Sequence, residues 1–149
     1  MPTHSEKRFL PYAPDEMFDL VADIESYPEF LPWCAASRVR DRRARGETEI
    51  VDADLVISFK VFREKFGSRV KLDPGARLIV VEYLDGPFRY LNNNWSFRSV
   101  NGGTEVEFFV DFEFRSRALQ AVIGVVFYEA MRRVVRAFEA RAAALYGAS

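Results

Sequence analysis

Between Thr104 and Arg115 apolar and polar positions largely alternate. Val106, Phe108, Val110, Phe112 and Phe114 fall on one side, and Glu105, Glu107, Asp111 and Glu113 fall on the other. Period-two patterning of this kind predicts a strand with one apolar and one wet face. Phe62, Phe66, Val70 and Leu72 alternate in the same way against Arg63, Lys65, Arg69 and Lys71, with Glu64 and Ser68 as interruptions. Trp95 and Phe97 do so against Asn94, Ser96 and Arg98. Between Cys34 and Arg115 these runs are separated by Arg45-Gly46, Asp73-Pro74-Gly75, Asp85-Gly86-Pro87 and Asn101-Gly102-Gly103. Such turn signals predict successive hairpins, and connections this short permit only antiparallel pairing.

The period changes at both ends. After an extended segment from Ser5 to Leu10, Met17, Leu20, Val21 and Ile24 repeat at helical spacing, with Pro14 suited to the opening turn and Asp15 and Glu16 to the positive end of the dipole. Pro28 and Pro32 are expected to stop regular structure. From Ala118 to Leu145, a stripe of Leu119, Val122, Ile123, Val126, Phe127, Ala130, Met131, Val134, Phe138 and Leu145 predicts a helix about 40 Å long, enough to cross the concave face of a sheet. The expected order is strand, helix, many strands, long helix: an α+β fold, with residues 1–149 forming one domain.

Composition sharpens this picture at one point. Among 149 residues, 49% are hydrophobic and 14 are Phe, more bulky apolar material than a domain of this size needs merely to fold. A net charge of -1 provides no field to attract a polyanion, which argues against DNA. The single histidine, His4, and the single cysteine, Cys34, exclude a His-based triad, a zinc site and a disulfide, so no metal or required cofactor is expected and a reducing compartment fits best. The N-terminal residues lack the apolar stretch of a signal peptide, and the apolar run from Val122 to Phe127 is soon followed by Glu129, Arg132 and Arg133. Cytoplasmic placement is therefore expected, with any membrane contact peripheral.

Three segments invite chemistry. Asp111 or Glu113 beside Glu105 or Glu107 would make an acid and base pair if the strand face were reversed, although their alternation reads more naturally as a solvated face. Arg38, Arg40, Arg42, Arg43 and Arg45 would suit phosphate contacts or, more simply, the protection of an edge hairpin. The segment from Ser26 to Cys34, with Tyr27, Phe30, Leu31 and Trp33 around Pro28 and Pro32, reads equally as a plug on the core, a lip at a cavity mouth or a membrane-touching patch.

Tyr12-Ala13-Pro14, the run from Met17 to Asp23, the run from Tyr27 to Cys34, Gly86-Pro87-Phe88 and Trp95-Ser96-Phe97 together resemble the coenzyme Q-binding START-domain family. That family is related to the bacterial ribosome-association toxin and, more distantly, to polyketide cyclases and lipid-transfer domains. The resemblance runs from Lys7 to about Leu145. It implies a helix-grip (START/Bet v 1-like) fold, a curved antiparallel sheet wrapped around the long C-terminal helix, with a tunnel that binds ubiquinone or a related isoprenoid lipid without catalysing its turnover. It further implies that Leu31, Trp33, Phe59, Phe62, Phe66, Trp95, Phe97, Phe108, Phe112, Ile123, Phe127 and Met131 lie in or near the cavity. The toxin branch shares the motif, so a ribosome-associating module stands as the alternative, and a polyketide cyclase or dehydratase as a weaker one.

Overall fold

The computed structural model describes residues 3–59 and 62–147; the side chains of Phe59 and Phe62 lie outside that description. Strand β1 (Thr3–Leu10) is followed by helix α1 (Pro14–Ala22) and a 3₁₀ helix over Ile24–Glu29. Strands β2 (Cys34–Arg45), β3 (Thr48–Phe59), β4 (Phe62–Asp73), β5 (Leu78–Asp85), β6 (Phe88–Val100) and β7 (Gly103–Phe114) come next, and helix α2 (Arg117–Tyr146) ends the chain. The strands form one seven-stranded sheet in the order β1-β7-β6-β5-β4-β3-β2. Every pairing is antiparallel. Only β1 departs from simple hairpin order, pairing with β7 so that the first and last strands meet at one sheet edge.

Registry fixes which side chains share the concave face. Leu72, Ile79, Trp95 and Phe108 form one row across β4 to β7, and Val70, Val81, Asn93 and Val110 form the next. Bulges at Cys34/Ala36, Val39/Asp41, Gly67/Ser68 and Phe88/Tyr90 bend the strands, which lets a sheet this wide curl around a helix. Gly86 closes one reversal at φ +138, and a Cβ there would stand 2.5 Å from that of Phe66, so the turn between β5 and β6 has room only for glycine.

Pro14 opens α1, and Glu16 accepts a hydrogen bond from the Ala13 N–H at 3.0 Å. Pro28 does not end regular structure as expected, because it lies inside the 3₁₀ helix. A turn this short makes few main-chain bonds, and a residue without an N–H is tolerated within it. Ser116 caps α2 by accepting from the Leu119 N–H at 3.1 Å.

The buried face of α2 follows the predicted stripe at Leu119, Phe127, Ala130 and Phe138, then rotates. Val135, Ala142 and Tyr146 take over, with the Tyr146 ring 6.3 Å from that of Tyr12, so the second half of the helix rests toward the α1 side. Leu145, expected in the stripe, is consequently exposed.

Candidate functional site: a hollow between sheet and helix

A hollow of about 290 Å³ lies between the concave face of the sheet and α2. Its floor is the paired interior positions of β3 to β7, among them Leu55, Phe66, Val81, Trp95 and Phe108. Its roof is the sheet-facing side of α2, with Leu119, Ile123, Ala130, Met131 and Val134, and Leu31, Pro32, Trp33 and Cys34 come in from the loop before β2. The volume stands at the lower end of the roughly 300–1,000 Å³ usual for small-molecule sites.

Of the residues predicted for the cavity, Leu31, Trp33, Phe66, Trp95, Phe108, Phe112, Ile123 and Met131 are brought together around this space. Phe97 and Phe127 are not among its lining. Phe97 faces inward one row too far along β6 and is covered by Phe18 of α1, edge to face at 5.8 Å. Phe127 turns toward the β1 and β7 edge, 5.4 Å from Phe112 and 6.4 Å from His4. Phe59 and Phe62 fall outside the described side chains. The lining that sequence reading missed, such as Val81, Leu91 and Asn93, becomes visible only once β5 is registered against β4 and β6.

The proline-flanked loop divides its labour. Tyr27 and Phe30 plug the core, both edge to face with Phe138 of α2 at 5.6 and 5.3 Å. The Tyr27 hydroxyl donates to the carbonyl of Val21, and burial pushes its pKa upward. Arg141 of α2 lies over the Phe30 ring at 5.1 Å and reaches Glu29 at 3.1 Å. With those anchors in place, Leu31, Pro32 and Trp33 are held at the hollow. Trp33 sits at φ 64, in the left-handed region that bulky residues seldom enter, a strain that the surrounding packing sustains. Burial also pushes the Cys34 thiol up, away from the thiolate that nucleophilic chemistry would need.

Polar groups in the hollow are few, with Glu64, Ser68 and Asn93 among its lining. Asn93 donates from Nδ2 to the Phe109 carbonyl at 2.8 Å, and the Ser68 hydroxyl donates to the Ala53 carbonyl at 3.5 Å. The carboxylates of β7 belong to the other face. Asp111 accepts from Thr3 at 3.1 Å, Glu113 pairs with Arg89 at 2.9 Å, and Glu105 pairs with Arg98 at 2.7 Å. They cannot reach a molecule held under α2. Among the described residues, no cluster of three or more His, Cys, Asp or Glu is arranged to hold a metal.

The arginines of β2 are largely spent on neighbours. Arg40 pairs with Asp54 at 3.2 Å, Arg42 with Glu25 at 3.4 Å, and Arg43 with both Asp41 and Asp52. Asp52 is shared with Arg69, whose hydrogen bond holds that carboxyl below its usual range. This is a knitted edge hairpin.

His4 is buried, with Nε2 2.8 Å from Glu6, which also accepts from Arg8, and Arg8 reaches Glu139 of α2 at 3.6 Å. This chain ties the first strand to the last helix. Burial raises the Glu6 carboxyl, but the hydrogen bonds from Arg8 and His4 outweigh it and hold the group below its ordinary value.

Comparison with known proteins agrees with this geometry. The family described as polyketide cyclase / dehydrase and lipid transport matches residues 10–139. The chain is 43% identical over 138 residues to the ribosome association toxin RatA of Rickettsia prowazekii, covering 91% of this chain and 92% of that one. It is 32% identical over 149 residues to the mitochondrial coenzyme Q-binding protein COQ10 homolog B of Xenopus laevis, covering 97% of this chain and 59% of that protein. The solution structure of the 18 kDa protein CC1736 from Caulobacter crescentus superposes with a TM-score of 0.82 at 41% identity, covering 99% of this chain and 100% of the other. A START superfamily protein from Mycobacterium smegmatis, at 17% identity and a TM-score of 0.79 with coverage of 96% and 98%, shares the fold. The match over most of its length, in keeping with its helix-grip architecture, places this chain in the polyketide cyclase/dehydrase and lipid-transport family.

Proposed function

We propose that this protein holds a quinone-type isoprenoid lipid, ubiquinone or a close relative, in the hollow beneath α2 and acts as a non-catalytic carrier or chaperone supporting respiratory electron transport. The observation that carries the reading is a largely apolar space of about 290 Å³ left between sheet and helix by a chain rich enough in rings to have filled it. Burial of ligand in that space supplies affinity at roughly 25 cal/mol per Å², before the costs of binding are subtracted. The volume suits a ring and a short length of tail, so a long isoprenoid chain extends through the mouth between α2 and the loop. The COQ10 relative, whose name states coenzyme Q binding, supports the choice of ligand. The test is organic extraction of protein purified from its own cells, followed by mass spectrometry. A co-purifying isoprenoid quinone is expected; absence of any lipid, together with no titratable binding of added quinone, overturns the reading.

A second reading is favoured by the names of the relatives at 43% and 34% identity, the RatA proteins of Rickettsia prowazekii and Escherichia coli: association with the ribosome. With Arg40, Arg42 and Arg43 held by carboxylates, β2 does not present the concentrated basic face that rRNA contact asks for. Co-sedimentation with ribosomal subunits at physiological salt discriminates, and Arg42→Glu with Arg43→Glu tests whether β2 provides the contact. The cyclase alternative lacks an acid and base pair in the hollow: among the described residues Glu64 is the one carboxylate on its lining, and the β7 carboxylates are on the opposite face.

A further inference from the structure

The first half of α2 is apolar on both sides. From Ala118 to Phe127 the only polar side chain is Gln120, and that one is occupied in accepting the Phe114 N–H at 2.8 Å. A helix lying on a water-facing sheet should be apolar on one side only. Here Leu119, Ile123 and Phe127 meet the sheet side, while Ala118, Ala121 and Gly124 stand exposed beside Val122 at 36%, Val125 at 86% and Tyr128 at 66%. The spacing of three and four residues sets Ala118, Ala121, Val122, Val125 and Tyr128 along one outer stripe.

Charge around this stripe is mostly positive. Arg115 and Arg117 stand at its start, and Arg132, Arg133 and Arg136 follow it one to two turns on. Two carboxylates stand near them: Glu129 is paired with Arg132 at 3.8 Å, and Glu29, beside Arg133 and Arg136, is paired with Arg141 at 3.1 Å. Arg115, Arg117, Arg133 and Arg136 make no ion pair among the described residues. In this the patch differs from β2, where Arg40, Arg42 and Arg43 are paired in place. Val122 borders the hollow as well as the outside, and Arg133 and Arg136 flank a shallow groove whose other wall includes Leu31 and Pro32.

We infer that the outer face of α2 from Ala118 to Arg136 is a docking surface for an anionic lipid bilayer. Val122, Val125 and Tyr128 enter the interfacial layer, and the flanking arginines meet the head groups. Exposed aliphatic side chains, a tyrosine at their edge and a ring of unpaired arginines are the combination that holds a protein at such a surface, where neither apolar contact nor charge suffices alone. No helix of the described residues is long and apolar enough to cross a membrane, so this is contact along the surface. The inference goes beyond the carrier reading and does not depend on it, although it sets the mouth of the hollow against the phase in which an isoprenoid lipid dissolves.

The experiment is flotation of the full chain, without added quinone, with vesicles of phosphatidylcholine alone or with phosphatidylglycerol included. At about 0.1 M salt, where charges act over roughly 10 Å, binding to the anionic vesicles and little to the neutral ones is expected. Val125→Asp should weaken it at least about tenfold, because a valine now buried in the interface is replaced by a charge. Arg133→Gln and Arg136→Gln should each weaken it roughly fivefold. These positions are exposed, so the variants keep the wild-type thermal unfolding and the wild-type affinity for a short-chain quinone in solution; that second measurement separates failure here from failure of the carrier reading. Wild-type protein that ignores anionic vesicles, or Val125→Asp that binds them equally well, overturns the inference. A dimer in solution that Val125→Asp converts to monomer, without vesicle binding, overturns it too and assigns the face to a second copy of the chain.

Discussion

Ala130→Phe separates a real hollow from a filled core. Ala130 is buried on the underside of α2 and lines the space. A dry cavity of about 150 Å³ accommodates benzene, so a phenyl ring projected from this position occupies about half of the 290 Å³. The ligand is then excluded from a region the size of one aromatic side chain, whose burial is worth about 1.5–3 kcal/mol, and binding of a short-chain quinone should fall roughly ten- to hundredfold in calorimetric titration. The stability of the unliganded protein tells the complementary story. If the space is empty, the new ring buries apolar surface there, and urea unfolding moves by less than about 1 kcal/mol or toward higher stability, the small loss of helix propensity included. A core already full would instead be overpacked, costing about 1–3 kcal/mol. Destabilisation of that size with unchanged quinone affinity would refute the reasoning.

Tyr27→Phe removes the hydroxyl that anchors the loop to Val21 and should cost about 0.5–1.5 kcal/mol in urea unfolding. Gly86→Ala forces a Cβ against Phe66 at a positive φ and should destabilise by more than about 1 kcal/mol, with a loss of quinone affinity because Phe66 lines the hollow. Because the folded-state pKa of Glu6 is depressed, its contribution to stability is present above the unfolded value of 4.5 and is lost as pH falls through the folded one. Glu6→Gln should therefore flatten the acid limb of a stability-versus-pH curve below about pH 4.5, and an unchanged limb would show that the carboxylate does not carry it.

Much of this fold is legible in the sequence, because period-two runs and turn residues act locally. The alternation over β7 and the four turn signals lead directly to antiparallel hairpins, and the long apolar stripe leads to α2. The reversal between Phe59 and Phe62 has no glycine or proline, and the pairing of β1 with β7 joins residues about a hundred positions apart; neither leaves a local signal. The site divides in the same way. Inward facing can be read from alternation, hence Trp95 and Phe108, but position along the strand cannot, hence Phe97, which faces inward and is covered by Phe18. In the sequence the arginines of β2 suit phosphate contacts or, more simply, an edge hairpin, and only registry against β3 shows the carboxylates that hold Arg40 and Arg43. The outer stripe of α2 was hidden for the opposite reason. Val122 and Leu145 read as core by spacing, and their exposure depends on where the sheet ends and how the helix turns on it.

Trp95 stands in the floor of the hollow, 4.6 Å from the Phe108 ring and 4.9 Å from that of Phe138, which makes it an internal reporter once Trp33 is replaced by Phe. Titration of that single-tryptophan protein with a short-chain ubiquinone analogue measures occupancy of the space itself. Saturable quenching at one equivalent, abolished by Ala130→Phe, is the predicted result. Quenching that rises linearly and matches that of free tryptophan would contradict a ligand held between sheet and helix.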